Sequence, residues 1–382
     1  MAEAVIVSAL RTPIGTARKG TLRDTSAFDL AHHVVSEAVK DIDPTQVDDV
    51  ILGEGLYGGG VLARHAAITA GLTQVPGLAN NRHCAAGQAA VQSAAASVRA
   101  GMDQLVIAGG VNSASTSPRS RMQVDGEWVD WFPPTHPDRP DAPNMDMSIT
   151  VGWNAAVKAG VSREEMDAWA LRSHRNAIAA IDEGRFKEEI VPIDTPHGLF
   201  SVDEHPRRDT SMEKLAALKP LHPEIEGFSI TAGNACGAND GAAVLTIASD
   251  RLGLRPLATI RSWASVGSTR RSPAWRRWRR YRKPLDALGF RSPMWTSSRS
   301  TRPSRRCVWP RSSCSNSTRT RSTSAAAAAR WASRGGDRGP DAGHPGARIA
   351  PPRRRYRRRG DVRGRGHGFG DGDRGRGRIM RT

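Results

Sequence analysis

Of four cysteines scattered through 382 residues, Cys84 stands where a thiol would react. It lies in Asn80-Asn81-Arg82-His83-Cys84-Ala85-Ala86-Gly87-Gln88, and residues 89–99 continue with the alanine-rich spacing of a long buried helix. A helix start presents unpaired amides and about half a positive charge. That setting favours thiolate over thiol and suits a nucleophile. A lone cysteine in an apolar protein is more often a small core hydrophobe, so the case rests on what surrounds it. Cys236, Cys307 and Cys314 are too few and too scattered to form a disulfide framework with Cys84, and no CxxC pair suggests zinc. A reducing cytosol fits this usage, and no metal site is expected.

A second segment with chemical character is the glycine-rich turn Thr231-Ala232-Gly233-Asn234-Ala235-Cys236-Gly237. Its glycines let backbone approach a ligand closely. It passes through Asn239-Asp240-Gly241 into the apolar run Ala242-Ala243-Val244-Leu245-Thr246-Ile247.

Regular elements must hold these two segments. Ala4-Val5-Ile6-Val7-Ser8-Ala9, ended by Arg11-Thr12-Pro13, reads as a buried strand entering a loop. Val50-Ile51-Leu52-Gly53 is a second such strand, and residues 104–110 are a third. Residues 26–39 have helical spacing, and alanine-rich helices separate the strands, which predicts a layered α/β fold. Ser162-Arg163-Glu164-Glu165 opens a further helix, to about residue 184, with a capping box. Residues 117–147, rich in Pro, Asp and Met and without a clear period, read as a long loop, a class that is often functional.

Charge divides the chain. The formal net charge of +18 suggests nucleic acid or an anionic membrane as partner. However, residues 261–382 hold 33 of the 56 basic and 6 of the 38 acidic residues, net +27, which leaves −9 before them. No Glu follows Glu226, and Lys283 is the only lysine of that tail, where Arg recurs beside Trp, Ser, Pro and Gly. This is not the usage of a folded enzyme domain. The N-terminus has no secretory pattern, and no apolar run reaches the roughly 18 residues that span a bilayer. A cytoplasmic protein without membrane contact is expected.

Asn81-Arg82-His83-Cys84-Ala85-Ala86-Gly87 resembles the segment of thiolases in which the cysteine is acylated. Further blocks agree in order. Residues 5–15 resemble the family's opening strand. Residues 108–115 resemble its Gly-Gly-x-Glu-Ser-Met-Ser turn, with Asn112 and Ala114 as departures. Residues 162–192 resemble its Ser-Arg-Glu-Glu helix and Gly-Arg-Phe sequel. Asp203-Glu204-His205-Pro206-Arg207 resembles its acidic turn, and residues 231–241 its Ala-Gly-Asn-Ala-Ser-Gly block, with Cys236 where serine is frequent.

The resemblance implies a layered αβαβα fold of two similar halves, active as a homodimer or homotetramer on acyl-CoA and 3-ketoacyl-CoA. Coenzyme A would be a co-substrate, and no further cofactor is expected. Cys84 would be the catalytic nucleophile. Ala232, Cys236 and Gly237 would pass close to the pantetheine arm, and Ser148, with Met147, would lie where the excursion lines the acyl pocket. Residues 1–116 would form the half bearing the nucleophile, residues 117–249 the loop region and coenzyme A segment, and residues 250–382 the second half.

That second half departs from the family, whose Asn-Glu-Ala-Phe, Gly-His-Pro and Cys-x-Gly-Gly-Gly segments are missing as proper blocks. Gly343-His344-Pro345 lacks the glycine strand that should precede it. Reading the tail one base over with GC-rich codons restores an Asn-Glu-Ala-Phe segment opposite residues 300–306 and a Cys-Ala-Gly-Gly-Gly segment beginning opposite residues 362–363. The frame is therefore expected to be displaced from about residue 268, with a disordered tail and impaired activity in the chain as written. Two alternatives stay open. One is a catalytically dead remnant whose arginine-rich tail binds nucleic acid, which the displaced reading makes unnecessary. The other is a ketoacyl synthase, against which the residues 231–237 speak.

Overall fold

The apolar runs become the strands of one mixed sheet. The computed structural model describes residues 2–265 apart from 56–60, 133 and 145. In chain order the strands are β1 (Ala4–Arg11), β2 (Gly15–Thr16), β3 (Asp49–Glu54), β4 (Gly77–Asn80), β5 (Leu105–Ser113), β6 (Ser120–Val124), β7 (Glu127–Trp131), β8 (Ile193–Thr195), β9 (Gly198–Phe200), β10 (Asn239–Ser249) and β11 (Ala258–Thr259). The helices are α1 (Ala27–Val39), α2 (Val61–Thr69), α3 (Ala86–Ala100), α4 (Asn154–Ala159), α5 (Arg163–Asp182) and α6 (Met212–Ala216).

The main sheet has the order β11-β1-β10-β5-β3-β4, with β2 pairing β10 beside β1. β3 is parallel to β4 and β5, whereas β10 is antiparallel to both β5 and β1. It follows that β1, β3, β4 and β5 run one way and β10 runs against them. All eleven residues of β10 are buried, as a central strand covered on both faces requires.

Strand alternation sends side chains to two cores. Val50, Leu52, Leu105, Ile107 and Val244 meet α1 and α2 on one face. Ile51, Val106, Ala108, Leu245 and Ile247 meet Ala90, Ala94 and Val98 of α3 on the other. The result is a helix–sheet–helix sandwich, as expected for a layered α/β chain. Each fully buried Leu or Ile contributes about 1.5–3 kcal/mol. α1 and α5 begin with capping boxes, from Ser26 with Asp29 and from Ser162 with Glu165.

The excursion is more ordered than its missing period suggests. β6 and β7 form a hairpin around Asp125-Gly126, both at positive φ (51° and 87°), the geometry of a two-residue type I′ turn. Beyond it, Ser148–Trp153 is a π-helical segment that runs into α4. The second half of the expected five-layer fold, the displaced frame and the disordered tail lie outside the described residues.

Candidate active site

Cys84 sits between β4 and α3 and is exposed. The chain turns sharply before it: His83 has φ +48°, a left-handed conformation costly for a residue with a β-carbon. Asn81 secures the bend, its Oδ1 accepting from the His83 amide (2.9 Å) and its Nδ2 donating to the Gly55 carbonyl (3.2 Å). Ala85 and Ala86 then donate to the carbonyls of Arg82 (3.0 Å) and His83 (2.9 Å). The N-cap of α3 is Ala85, so no side chain caps the helix, and the positive end of its dipole can polarise a sulfur or oxygen beside it. Arg82 is drawn back along α3, donating to Gln92 (3.2 Å) and Ser265 (2.8 Å).

The helix start rests directly on the sheet. A β-carbon on Gly53 would lie 2.5 Å from the Ala86 carbonyl carbon and the Gly87 nitrogen, and one on Gly110 would lie 3.2 Å from the Gly87 Cα. Glycine in β3 and in β5 thus sets the height of the turn carrying Cys84.

The 231–237 turn reaches the same end of the sheet, because β10, which follows it, starts opposite the end of β5, with Asp240 against Ser113. Asn234 organises the turn. Its Oδ1 accepts from the Thr231 amide (2.8 Å), and its Nδ2 donates to the Ser229 carbonyl (3.0 Å) and to Asp167 Oδ1 (2.9 Å). Asp167, buried in α5, also accepts from Arg163 Nε at 2.7 Å. Ala232 and Cys236 are exposed, and the Cys236 thiol donates to the Gly237 carbonyl at 3.4 Å. Gly237 faces the His205 ring, where a β-carbon would come within 2.3 Å of Cε1.

Ser148 is employed differently: its hydroxyl (2.6 Å) and amide (2.9 Å) both donate to Asp146 Oδ1, the carboxylate that caps the segment Ser148 begins. Cys84 and the Cys236-Gly237 pair therefore lie at one end of the sheet, while Ser148 is anchored within the excursion.

The sequence placed His205, Arg207 and Asp240 in quoted blocks without giving them a role, and it did not mark His174. Burial holds His205 below the ordinary imidazole range, helped by Arg207; burial does the same to His174, helped by His205 and Arg207. Burial pushes Asp240 upward, although Ser115 donates to it from both amide and hydroxyl. Asp146-x-Ser148, a carboxylate two residues ahead of a helical segment, was a readable capping signal; the burial of the two histidines was not. Among the described residues no group of three or more His, Cys, Asp or Glu is placed to hold a metal ion, and no helix is long and apolar enough to cross a membrane.

An α/β sandwich with an exposed cysteine at an uncapped helix start defines the class to which comparison then gives a name: the chain belongs to the thiolase family, whose N-terminal domain model matches residues 4–251. It is 38% identical over 298 residues to the acetyl-CoA acetyltransferase of Pseudomonas aeruginosa, covering 70% of this chain and 72% of that protein. It is 36% identical over 301 residues to the 3-ketoacyl-CoA thiolase of Bacillus subtilis, with the same coverage. The crystal structure of the Bacillus anthracis acetyl-CoA acetyltransferase superposes with a TM-score of 0.60 at 39% identity, over 68% of this chain and 69% of that one.

Proposed function

We propose that this chain is a thiolase-type acyltransferase that carries its acyl group on Cys84. The Cys84 thiolate attacks the C3 carbonyl of a 3-ketoacyl-CoA; the C2–C3 bond breaks, and the departing acetyl-CoA carbanion takes a proton at C2. A second coenzyme A thiolate then takes the acyl group from Cys84, and the reverse sequence condenses two acyl units. The observation that carries this reading is the exposed cysteine behind a left-handed His83 at the uncapped start of α3. Coenzyme A would lie along the 231–237 turn, whose exposed Ala232 and Cys236 leave room for the pantetheine arm.

The base, the second acid and the remaining oxyanion donors belong to residues after about 268, where we infer a displaced frame. Without them turnover falls by orders of magnitude, yet the first half-site can still be read. Iodoacetamide should alkylate Cys84 and leave a Cys84→Ser variant unlabelled there, and acetyl-CoA should slow the labelling. Labelling of Cys84 at the same rate with and without acetyl-CoA counts against the site. Sequencing the gene across codons 260–380 tests the displaced frame, and a single uninterrupted frame sinks it. We also infer a cytoplasmic dimer or tetramer, which light scattering on the purified chain checks for assembly.

A further inference from the structure

His222 lies on a short hairpin that leads into the 231–237 turn, where Pro220 pairs with Thr231 and the Leu221 amide donates to the Ile230 carbonyl at 2.9 Å. Both of its ring nitrogens meet carboxylates: Nε2 is 2.7 Å from Asp146 Oδ2, and Nδ1 is 2.8 Å from Glu224 Oε1. Ionised carboxylates only accept hydrogen bonds, so a ring that bonds two of them must donate from both nitrogens, and only the imidazolium can. Asp146 reaches His222 with one oxygen while the other caps the Ser148–Trp153 segment. The same two stretches meet in apolar contact. The His222 ring stands edge-on to Phe228 (5.0 Å between centroids), Phe228 packs on Trp153 (5.2 Å), and Gly152 sits against Ile230.

We propose that His222 is a positioning residue for the coenzyme A site, an imidazolium latch that fastens the excursion bearing Met147 and Ser148 to the base of the 231–237 turn. This rests on the reading that coenzyme A runs along that turn. The titratable groups facing the ring are Asp146 from the excursion and Glu224 from the hairpin; uncharged Phe228 packs against it, with Trp153 on Phe228. The hydrogen bond to Glu224, then the charge of Asp146, hold the imidazole above its ordinary range. Loss of the proton leaves one nitrogen without a hydrogen to donate, and one of the two carboxylates is released.

Two measurements on the full chain test this. Coenzyme A binding by calorimetry at pH 6 and pH 9 should weaken about fivefold or more with rising pH, the lower range for coupled sites. A His222→Gln variant should show a clearly shallower dependence, since the ligand's own ionisation is common to both proteins. Parallel pH dependences, or equal affinity at both pH values in the unsubstituted chain, overturn the proposal. Urea unfolding of the same two proteins without ligand reads the latch by itself. Because the folded-state pKa is raised, the stability advantage of His222 over Gln should be complete below about pH 6.5 and vanish as pH rises through the folded value. An advantage that does not change with pH also overturns the latch. Absence of coenzyme A binding at either pH overturns the reading of the turn and the ligand assigned here, whereas the unfolding difference still decides whether the latch exists.

Discussion

At the residue scale, Glu54 is the group most at odds with its surroundings. Its Oε1 accepts from the amides of Leu62 (2.9 Å) and Ala63 (3.2 Å), capping α2, while its Oε2 is buried without a hydrogen-bond partner. Burial pushes its pKa up against the pull of those two amides. From about pH 4.3, the unfolded value, up to the folded value, the folded state therefore binds more protons, and the contribution of this group to stability falls as pH rises. Glu54→Gln should flatten that dependence and stabilise the protein at neutral pH; urea midpoints at pH 4.5 and 7.5 check it, and a variant weaker at pH 7.5 refutes the account. Glu54 and His222 were invisible in the sequence because each is defined by burial and by partners brought from elsewhere in the fold. Cys84 was legible because its setting is local: a bend, a cysteine and an alanine-rich helix in one unbroken segment.

At the element scale, the two glycines under α3 govern where Cys84 stands. Gly53→Ala places a methyl group against backbone rather than against a flexible side chain, so the helix start must lift. A loss of about 1–3 kcal/mol is expected, as for other overpacked cores, together with a changed alkylation rate at Cys84. Unfolding midpoints and iodoacetamide kinetics measure both, and unchanged values for each exclude the contact as the determinant. Helices were readable here from the spacing of residues 26–39 and from the cap at Ser162, and strands from their β-branched runs. The β6–β7 hairpin escaped because its strands are exposed on every residue, so apolar alternation could not mark them. Only Asp125-Gly126 announced it.

At the scale of the whole molecule, the chain after α5 is stitched to the sheet by a buried cation. Arg11, at the end of β1, meets Glu189 at 2.8 Å and grips Asp203 with two bonds of 2.7 and 3.0 Å, and Asp203 also accepts from the Ile14 amide. The Arg11 amide and carbonyl pair with Glu189 and Val191 in the same place. Asp203→Ala strands a buried guanidinium with half its counter-charge and should cost about 3–5 kcal/mol, read by urea unfolding; a loss within 0.5 kcal/mol, the usual range for a surface change, would show the network to be dispensable. This stitching was beyond the sequence, as was the antiparallel placing of β10 between β1 and β5, because pairing across such separations leaves no local pattern. The layered α/β class was not beyond it.

The glycines of β3 and β5 also bear on how such a chain can change over generations. A lineage can enlarge one of them only by letting the helix start rise from the sheet, and a start that has risen no longer forbids the other. Substitutions at Gly53 and Gly110 should thus be less than additive, and the two positions are kept together or lost together. Drift at either would unseat the thiol before any change touched the thiol itself.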